Sequence, residues 1–151
     1  VILLDSCAIF EILFGSEDAE AIATLLEKAQ SKDIDVVVPP LIRLESSTVA
    51  AVRFIEGRFP ALDSFDDVLA AMDALRTGPL PDDMSIALIE EAARIKAVHA
   101  ASMVDCYLIA NAMARNSEII TADKEILEYN PTRARIRKVG KRFATVSWRS
   151  R

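Results

Sequence analysis

Four acidic residues occupy positions where their carboxylates could be gathered to do chemistry: Asp5, Glu45, Asp105 and Asp123. Asp5 closes the unbroken apolar run Val1 to Leu4, and Asp123 stands just beyond Ile119, Ile120 and Thr121. If these two runs are adjacent parallel strands, both side chains project into one crevice at the carboxyl ends of the sheet, where open α/β sheets bind ligands. Asp105 falls in the first turn of a helix with Val104, Leu108, Ile109, Ala112 and Met113 around it, and Glu45 lies at the edge of an apolar stripe formed by Leu41, Ile42, Leu44, Val49 and Ala50. An acid so placed must face a pocket or be buried at a cost. Carboxylates brought within a few ångströms of one another raise each other's pKa unless a cation neutralises them. A set offering only oxygen ligands suits Mg²⁺ or Mn²⁺. Such a site fits phosphodiester hydrolysis, because a bound dication makes water a better nucleophile and stabilises charge on phosphoryl oxygens. Taken singly, each acid has a plainer explanation: a strand-end Asp makes turns, a helix-start Asp makes caps, and Glu45 could lie on a solvated helix face.

The elements that must carry these residues can be read from periodicity. Val1 to Leu4 has the pattern of a central strand buried on both faces, and Ile34 to Val38, dense in β-branched residues and stopped by Pro39 and Pro40, is a second. Helical spacing is expected over Ser16 to Gln30, from Pro40 to near Gly57, over Ser64 to Thr77, from Asp82 to about Ala100 and over Ser102 to Arg115. Ser64 leads into Asp66 and Asp67, and Asp82 into Asp83, so each first turn is acidic as the helix dipole favours. Gly78, Pro79 and Pro81 separate the third and fourth of these helices into an inserted antiparallel hairpin over residues 64–100. A short strand at Ile119 to Thr121, a helical turn or two from Asp123 to Tyr129, and two strands, Ile136 to Val139 and Ala144 to Trp148, complete an α/β domain with a largely parallel sheet.

Composition narrows the class. A chain of 151 residues that is 52% hydrophobic is expected to form one domain over residues 1–151, burying a core without metal or disulfide staples, which excludes intrinsic disorder. Cys7 and Cys106 stand far apart with no CxxC, and His99 is the only histidine, so a thiolate or histidine-rich zinc site is excluded. No apolar run approaches the ~18 residues of a membrane-spanning helix, and no basic segment precedes the first apolar stretch. The expectation is a soluble, cytoplasmic protein with reduced cysteines. The net charge of −5 conceals an asymmetry: residues 131–151 hold eight bases (Arg133, Arg135, Arg137, Lys138, Lys141, Arg142, Arg149 and Arg151) and no acid. A basic C-terminal segment of this kind suggests a polyanion or an acidic partner. The alternative is that it balances a neighbouring acidic helix.

The acids sit in four motifs: Leu4-Asp5-Ser6-Cys7-Ala8-Ile9, Pro39-Pro40-Leu41-Ile42-Arg43-Leu44-Glu45, Asp105-Cys106-Tyr107-Leu108-Ile109-Ala110-Asn111-Ala112, and Ile120-Thr121-Ala122-Asp123-Lys124-Glu125. In this order and spacing they resemble the PIN-domain ribonucleases, in particular the toxin subunits of toxin–antitoxin pairs, over nearly the whole chain. The resemblance implies a three-layer PIN-like fold, a central mainly parallel sheet flanked by helices with the inserted hairpin. It implies a Mg²⁺- or Mn²⁺-dependent endoribonuclease in which Asp5 and Asp105 ligate metal, Glu45 and Asp123 bind metal or its waters, and the hydroxyls of Ser6 and Thr121 orient carboxylates or water. Where many relatives carry a further Asp, this chain has Glu125. A homodimer and a small antitoxin lying across the active-site groove are also implied, the hairpin contributing to both surfaces. RNA would approach along Arg133, Arg135, Arg137 and Lys138, with Arg43 and Arg115 as weaker contacts.

Two other readings compete. A phosphoacceptor receiver-like domain could use Lys124, but it needs paired acids after its first strand, and here Asp5 stands alone. A catalytically silent PIN-fold module could bind RNA or protein with an inherited pocket. Among smaller signals, the cysteines are expected to be small buried hydrophobes, His99 a partner for a helix C-terminus, and Trp148 an anchor for the last strand.

Overall fold

Ile2–Leu4 (β1) is buried along its length, as an unbroken apolar run requires. It pairs in parallel with Val36–Val37 (β2) on one side and with Glu118–Thr121 (β3) on the other, Leu4 standing opposite Ile120. Beyond β3 the sheet continues through the hairpin of Ala134–Val139 (β4) and Phe143–Trp148 (β5), β5 being antiparallel to both neighbours. The order is β2-β1-β3-β5-β4, and four of the five strands among the described residues run in one direction. The computed structural model describes residues 1–59, 61–76, 85–130 and 134–148.

Seven helices connect the strands among the described residues: Ser6–Phe14 (α1), Ala19–Gln30 (α2), Pro40–Ile55 (α3), Phe65–Asp73 (α4), Ile86–Val98 (α5), Met103–Arg115 (α6) and Lys124–Glu128 (α7). Helix α1 falls where no element was expected. Its run of Ala8, Ile9, Phe10, Ile12, Leu13 and Phe14 is apolar nearly all round, so it shows little amphipathic period. Capping defines it instead: the Asp5 carboxylate accepts the Ser6 N–H at 2.7 Å, and Gly15, at φ 60°, ends it.

The expected hairpin helices take different principal partners, α4 lying against α3 and α1 and α5 against α6. Val68, Met72 and Leu88 enter the core, whereas Ile86 and Ile89 are exposed. Ser85 caps α5 by accepting from Leu88 N at 3.3 Å; the expected start at Asp82, with Gly78, Pro79, Pro81 and Asp83, lies outside the described residues. Ser64 opens α4 with a reciprocal capping box to Asp67. Ser64→Ala should therefore cost about 1 kcal/mol in a denaturant titration.

Chain direction reverses at β1. The first crossover leads outward to β2 and the second returns past β1 to β3, so crossovers of the usual right hand put their helices on opposite faces. The boundary between β1 and β3 is then the topological switch point, and the residues that follow these two strands are Asp5 and, two positions on, Asp123. Leu3, Leu4, Ile119 and Ile120 from the sheet pack with Ile42, Leu108 and Ile109 from the helices beneath this point.

A polar staple closes the far side. Asp18, buried between α1 and α2, accepts backbone N–H groups of Lys141, Arg142 and Phe143 at 2.7, 2.7 and 3.1 Å, which hold its carboxyl below the usual range. Glu11 accepts the Asp18 N–H at 2.8 Å and the Arg142 guanidinium at 2.7 Å, and Lys141 pairs with Glu17. With Arg137 on Glu118, three bases of the C-terminal segment thus rest against acids of α1, β3 and the turn before α2. Local charge balance accounts for this part of the sequence asymmetry.

Candidate active site

Asp5 and Asp105 are only 3% and 8% exposed, and each carboxylate accepts hydrogen bonds from neighbouring groups, several at Asp5 and Ser102 at Asp105. The two Asp5 oxygens divide their partners: Oδ1 accepts the Ser6 N–H, while Oδ2 accepts Thr121 Oγ1 at 2.6 Å and Cys7 Sγ at 3.0 Å. Burial pushes the Asp5 carboxyl up, these hydrogen bonds pull it down, and the charge on Asp123 adds to the rise. Asp105 accepts from Ser102 Oγ at 2.7 Å while its own N–H donates back to that hydroxyl at 3.1 Å, so the cap of α6 also fixes the rotamer of the acid. Burial raises Asp105 to about 6; the Ser102 hydrogen bond opposes this, and Asp123, Asp5 and Glu125 repel its charge.

Asp123 is held by the turn it forms. Its N–H donates to Thr121 Oγ1 at 2.9 Å and its carboxylate accepts the Glu125 N–H at 2.8 Å, capping α7. Thr121 therefore sits between two acids, donating to Asp5 and accepting from the Asp123 backbone, which ties the ends of β1 and β3 together. Oxygens of Asp105, Asp123 and Glu125 lie within 4.8 Å of one another. Glu125 reaches the group because α7 begins at once after Asp123, and its Oε2 accepts the Ser102 N–H at 3.1 Å. The longer side chain at this position thus joins the cluster.

Glu45 stands apart from that trio. It is half-buried on α3 and lines a cavity of about 490 Å³ with Ser6, Cys7 and Ala122, next to the acids that follow β1 and β3. Ser6 faces Asp5 mainly through its backbone, its hydroxyl lying 3.4 Å from Oδ1. Two supporting groups carry no distinguishing signal in the sequence. Cys7 donates to Asp5 and accepts the Ala122 N–H at 3.4 Å, and burial pushes its thiol up, so it works as a polar bridge as well as a filler. Ser102 could be read only as a helix start, since its bond to Asp105 is part of the cap geometry.

The basic residues are distributed differently from the expected RNA path. Arg43 forms a two-pronged pair with Asp73, joining α3 to α4, and Arg115 donates to Asn111 at 3.1 Å. Arg137 and Lys138 line a larger cavity of about 860 Å³ with Val1, Ile2 and Glu118, at the ends of β1 and β3 opposite to those carrying Asp5 and Asp123. Arg135 is exposed on β4, while Arg133, Arg149 and Arg151 lie outside the described residues. His99 ends α5 and meets the carbonyl of Glu125, and its ring packs on Tyr129. Trp148 is buried and donates to the Tyr129 carbonyl at 2.9 Å, anchoring β5. Cys7 and Cys106 are free thiols.

Can this pocket accept a dication? Its donors are all carboxylate oxygens, the charges acting on Asp105 are negative, and no ion pair among the described residues neutralises Asp5, Asp105, Asp123 or Glu125. Repelling acids held in place by hydrogen bonds, with no ion-pair partner among the described residues, fit a hard divalent ion.

The family model of the PIN domain matches residues 2–130. The chain belongs to the PIN-domain family. PIN domains are typically nucleases and generally use divalent metals, which agrees with an acidic cluster at the switch point of the sheet. No curated protein and no solved structure matched. The match ends near the last residue of α7, so the β4–β5 hairpin of this PIN protein extends the sheet beyond the matched segment. No helix among the described residues is long and apolar enough to cross a membrane.

Proposed function

We propose that this PIN domain is an endoribonuclease dependent on Mg²⁺ or Mn²⁺, with the clustered Asp105, Asp123 and Glu125 and the neighbouring buried Asp5 as its ligating carboxylates and Glu45 in the adjoining cavity. The observation that carries this reading is the juxtaposition of Asp105, Asp123 and Glu125 beside buried Asp5, none of them in an ion pair among the described residues. A dication bound there supplies Lewis-acid charge that makes water more acidic and stabilises the phosphoryl oxygens in phosphodiester hydrolysis. The protein's own work is positional. Thr121 and Cys7 fix Asp5, Ser102 fixes Asp105, and the α7 turn fixes Asp123, which limits the conformational freedom these carboxylates lose on binding. Carboxylate oxygens left uncommitted by these bonds can take the proton of an attacking water.

Thr121→Val should test this positioning. Loss of the hydroxyl removes a donor to Asp5 and an acceptor for the Asp123 N–H, and turnover should fall about 10- to 100-fold with a smaller effect on RNA affinity. Steady-state kinetics resolving kcat from KM would check it.

By its resemblance to the toxin subunits, the chain is proposed to act in the cytoplasm as the toxin of a toxin–antitoxin pair and to form a homodimer. Exposed Ile86 and Ile89 on α5 and Leu44, Val52 and Ile55 on α3 supply apolar surface for such contacts. Cleavage of matched RNA and DNA strands, together with sedimentation of the purified chain, tests these proposals. RNA-selective cleavage by a dimer is expected; equal cleavage of DNA would replace the ribonuclease reading by a general nuclease, and a monomer at assay concentration would remove the dimer. A silent binding module would bind RNA without cutting it under any metal condition.

A further inference from the structure

The cavity beside the acids continues along α3 to a guanidinium group. Glu45, Val49 and Arg53 are spaced i, i+4 and i+8 and line this 490 Å³ cavity together, with Ser6 and Ala122 at the end nearest Asp5 and Asp123. Eight residues of helix set Arg53 roughly 12 Å from Glu45. Arg53 has no carboxylate partner among the described residues. Its guanidinium instead lies over two rings, 4.7 Å from the Phe10 centroid and 5.1 Å from that of Phe14, and those rings are stacked at 5.9 Å. Phe59 backs Phe14 at 5.1 Å. The second guanidinium of the cavity, Arg142, is already committed to Glu11.

An arginine held over aromatic faces loses freedom before any ligand arrives, while N–H groups not turned to the rings stay available as a fork. That fork matches the oxygens of a phosphate diester. From these placements we infer that Arg53 is a phosphate-binding subsite for the RNA strand, gripping a phosphate flanking the one at the acidic cluster. This rests on the nuclease reading for the identity of the strand, but it concerns binding and can fail separately. Phe10 and Phe14 act as positioning residues that hold the guanidinium over their rings.

The test uses the intact chain and a fluorescent octaribonucleotide in EDTA, with affinity followed over a range of salt. Arg53→Ala should weaken binding about tenfold at low salt and reduce the magnitude of the log–log salt slope by about 0.7, the increment for one phosphate on a single strand. Arg53→Lys should keep the slope while binding more weakly than arginine, because it keeps the charge and loses the fork. Phe14→Leu should lower affinity and leave the slope unchanged. In cleavage with Mn²⁺, Arg53→Ala should raise KM for the octamer and leave a dinucleotide, which has only the scissile phosphate, unaffected. Wild-type affinity and slope for Arg53→Ala would overturn the inference. So would equal displacement of the octamer by hexaglutamate, which would make an acidic protein segment the ligand. Binding that depends on Arg53 without any cleavage would support the subsite and defeat only the nuclease reading.

Discussion

Asp105→Asn is expected to melt at a higher temperature than the wild-type chain in metal-free buffer at pH 7 and to cleave RNA at least about a thousandfold more slowly. Both effects have one cause. Asp105 is buried among like charges, and its carboxyl is raised to about 6. A rise from the ordinary value near 4 corresponds to at most about 3 kcal/mol, and solvent reaching the pocket screens this to on the order of 1–2 kcal/mol. Because the folded form holds its proton more tightly than the unfolded chain, this destabilisation is absent below pH ~4, grows as pH rises through about 6, and is complete above it. Asparagine keeps the side-chain volume and the interaction with Ser102 but not the charge, so the stability gap between variant and wild type should open between those two pH values. Saturating Mn²⁺ should reverse the order by stabilising the wild type more. The activity loss follows because removing a ligating carboxylate forfeits several kcal/mol of transition-state charge stabilisation. Differential scanning fluorimetry across pH, with and without Mn²⁺, checks the first half and RNA cleavage the second.

Gly140→Ala should be the most damaging single-methyl change outside the core. Gly140 has φ +76°, and a Cβ built there would lie 2.3 Å from Asp18 Oδ1. The left-handed backbone alone costs alanine about 1–3 kcal/mol. The clash adds to that by displacing the carboxylate that accepts three consecutive N–H groups of the β4–β5 turn. Asp18→Asn should show the same coupling through pH. The Asp18 carboxyl is held below its usual range, so its contribution is present above pH ~4 and lost as pH falls through its folded value. The variant should be less stable at neutral pH and lose less on acidification. Chemical denaturation of Gly140→Ala at pH 7, and of Asp18→Asn at pH 7 and pH 3, measures both.

Much of the site could be read because its residues sit on strongly patterned elements. Apolar runs fixed β1 and β3, so the acids beyond them fell at the sheet's switch point, and the helical period of residues 102–115 put Asp105 in a first turn. Helix α1 escaped because a segment apolar on nearly every side shows little amphipathic period, although Asp5 before it and Gly15 after it were available as caps. The place of Glu125 depended on how tightly α7 follows Asp123, a matter of turn geometry. Long-range partnerships were the least legible: nothing local to Asp18, Arg43 or Cys7 announces the β4–β5 turn, Asp73 or Thr121. The basic C-terminal segment shows the corresponding risk, since charge counted along the chain takes no account of Glu11, Glu17 and Glu118 waiting opposite it.

The most direct test of a metal-dependent acidic centre is cleavage of labelled single-stranded RNA by the purified chain as a function of Mn²⁺ concentration, with Asp5→Asn and Asp105→Asn prepared in parallel. The expected result is cleavage that saturates with Mn²⁺, stops in EDTA, returns when the ion is restored, and is lost in both variants while they remain folded. Cleavage undiminished in EDTA, or equal in wild type and both variants, would contradict it.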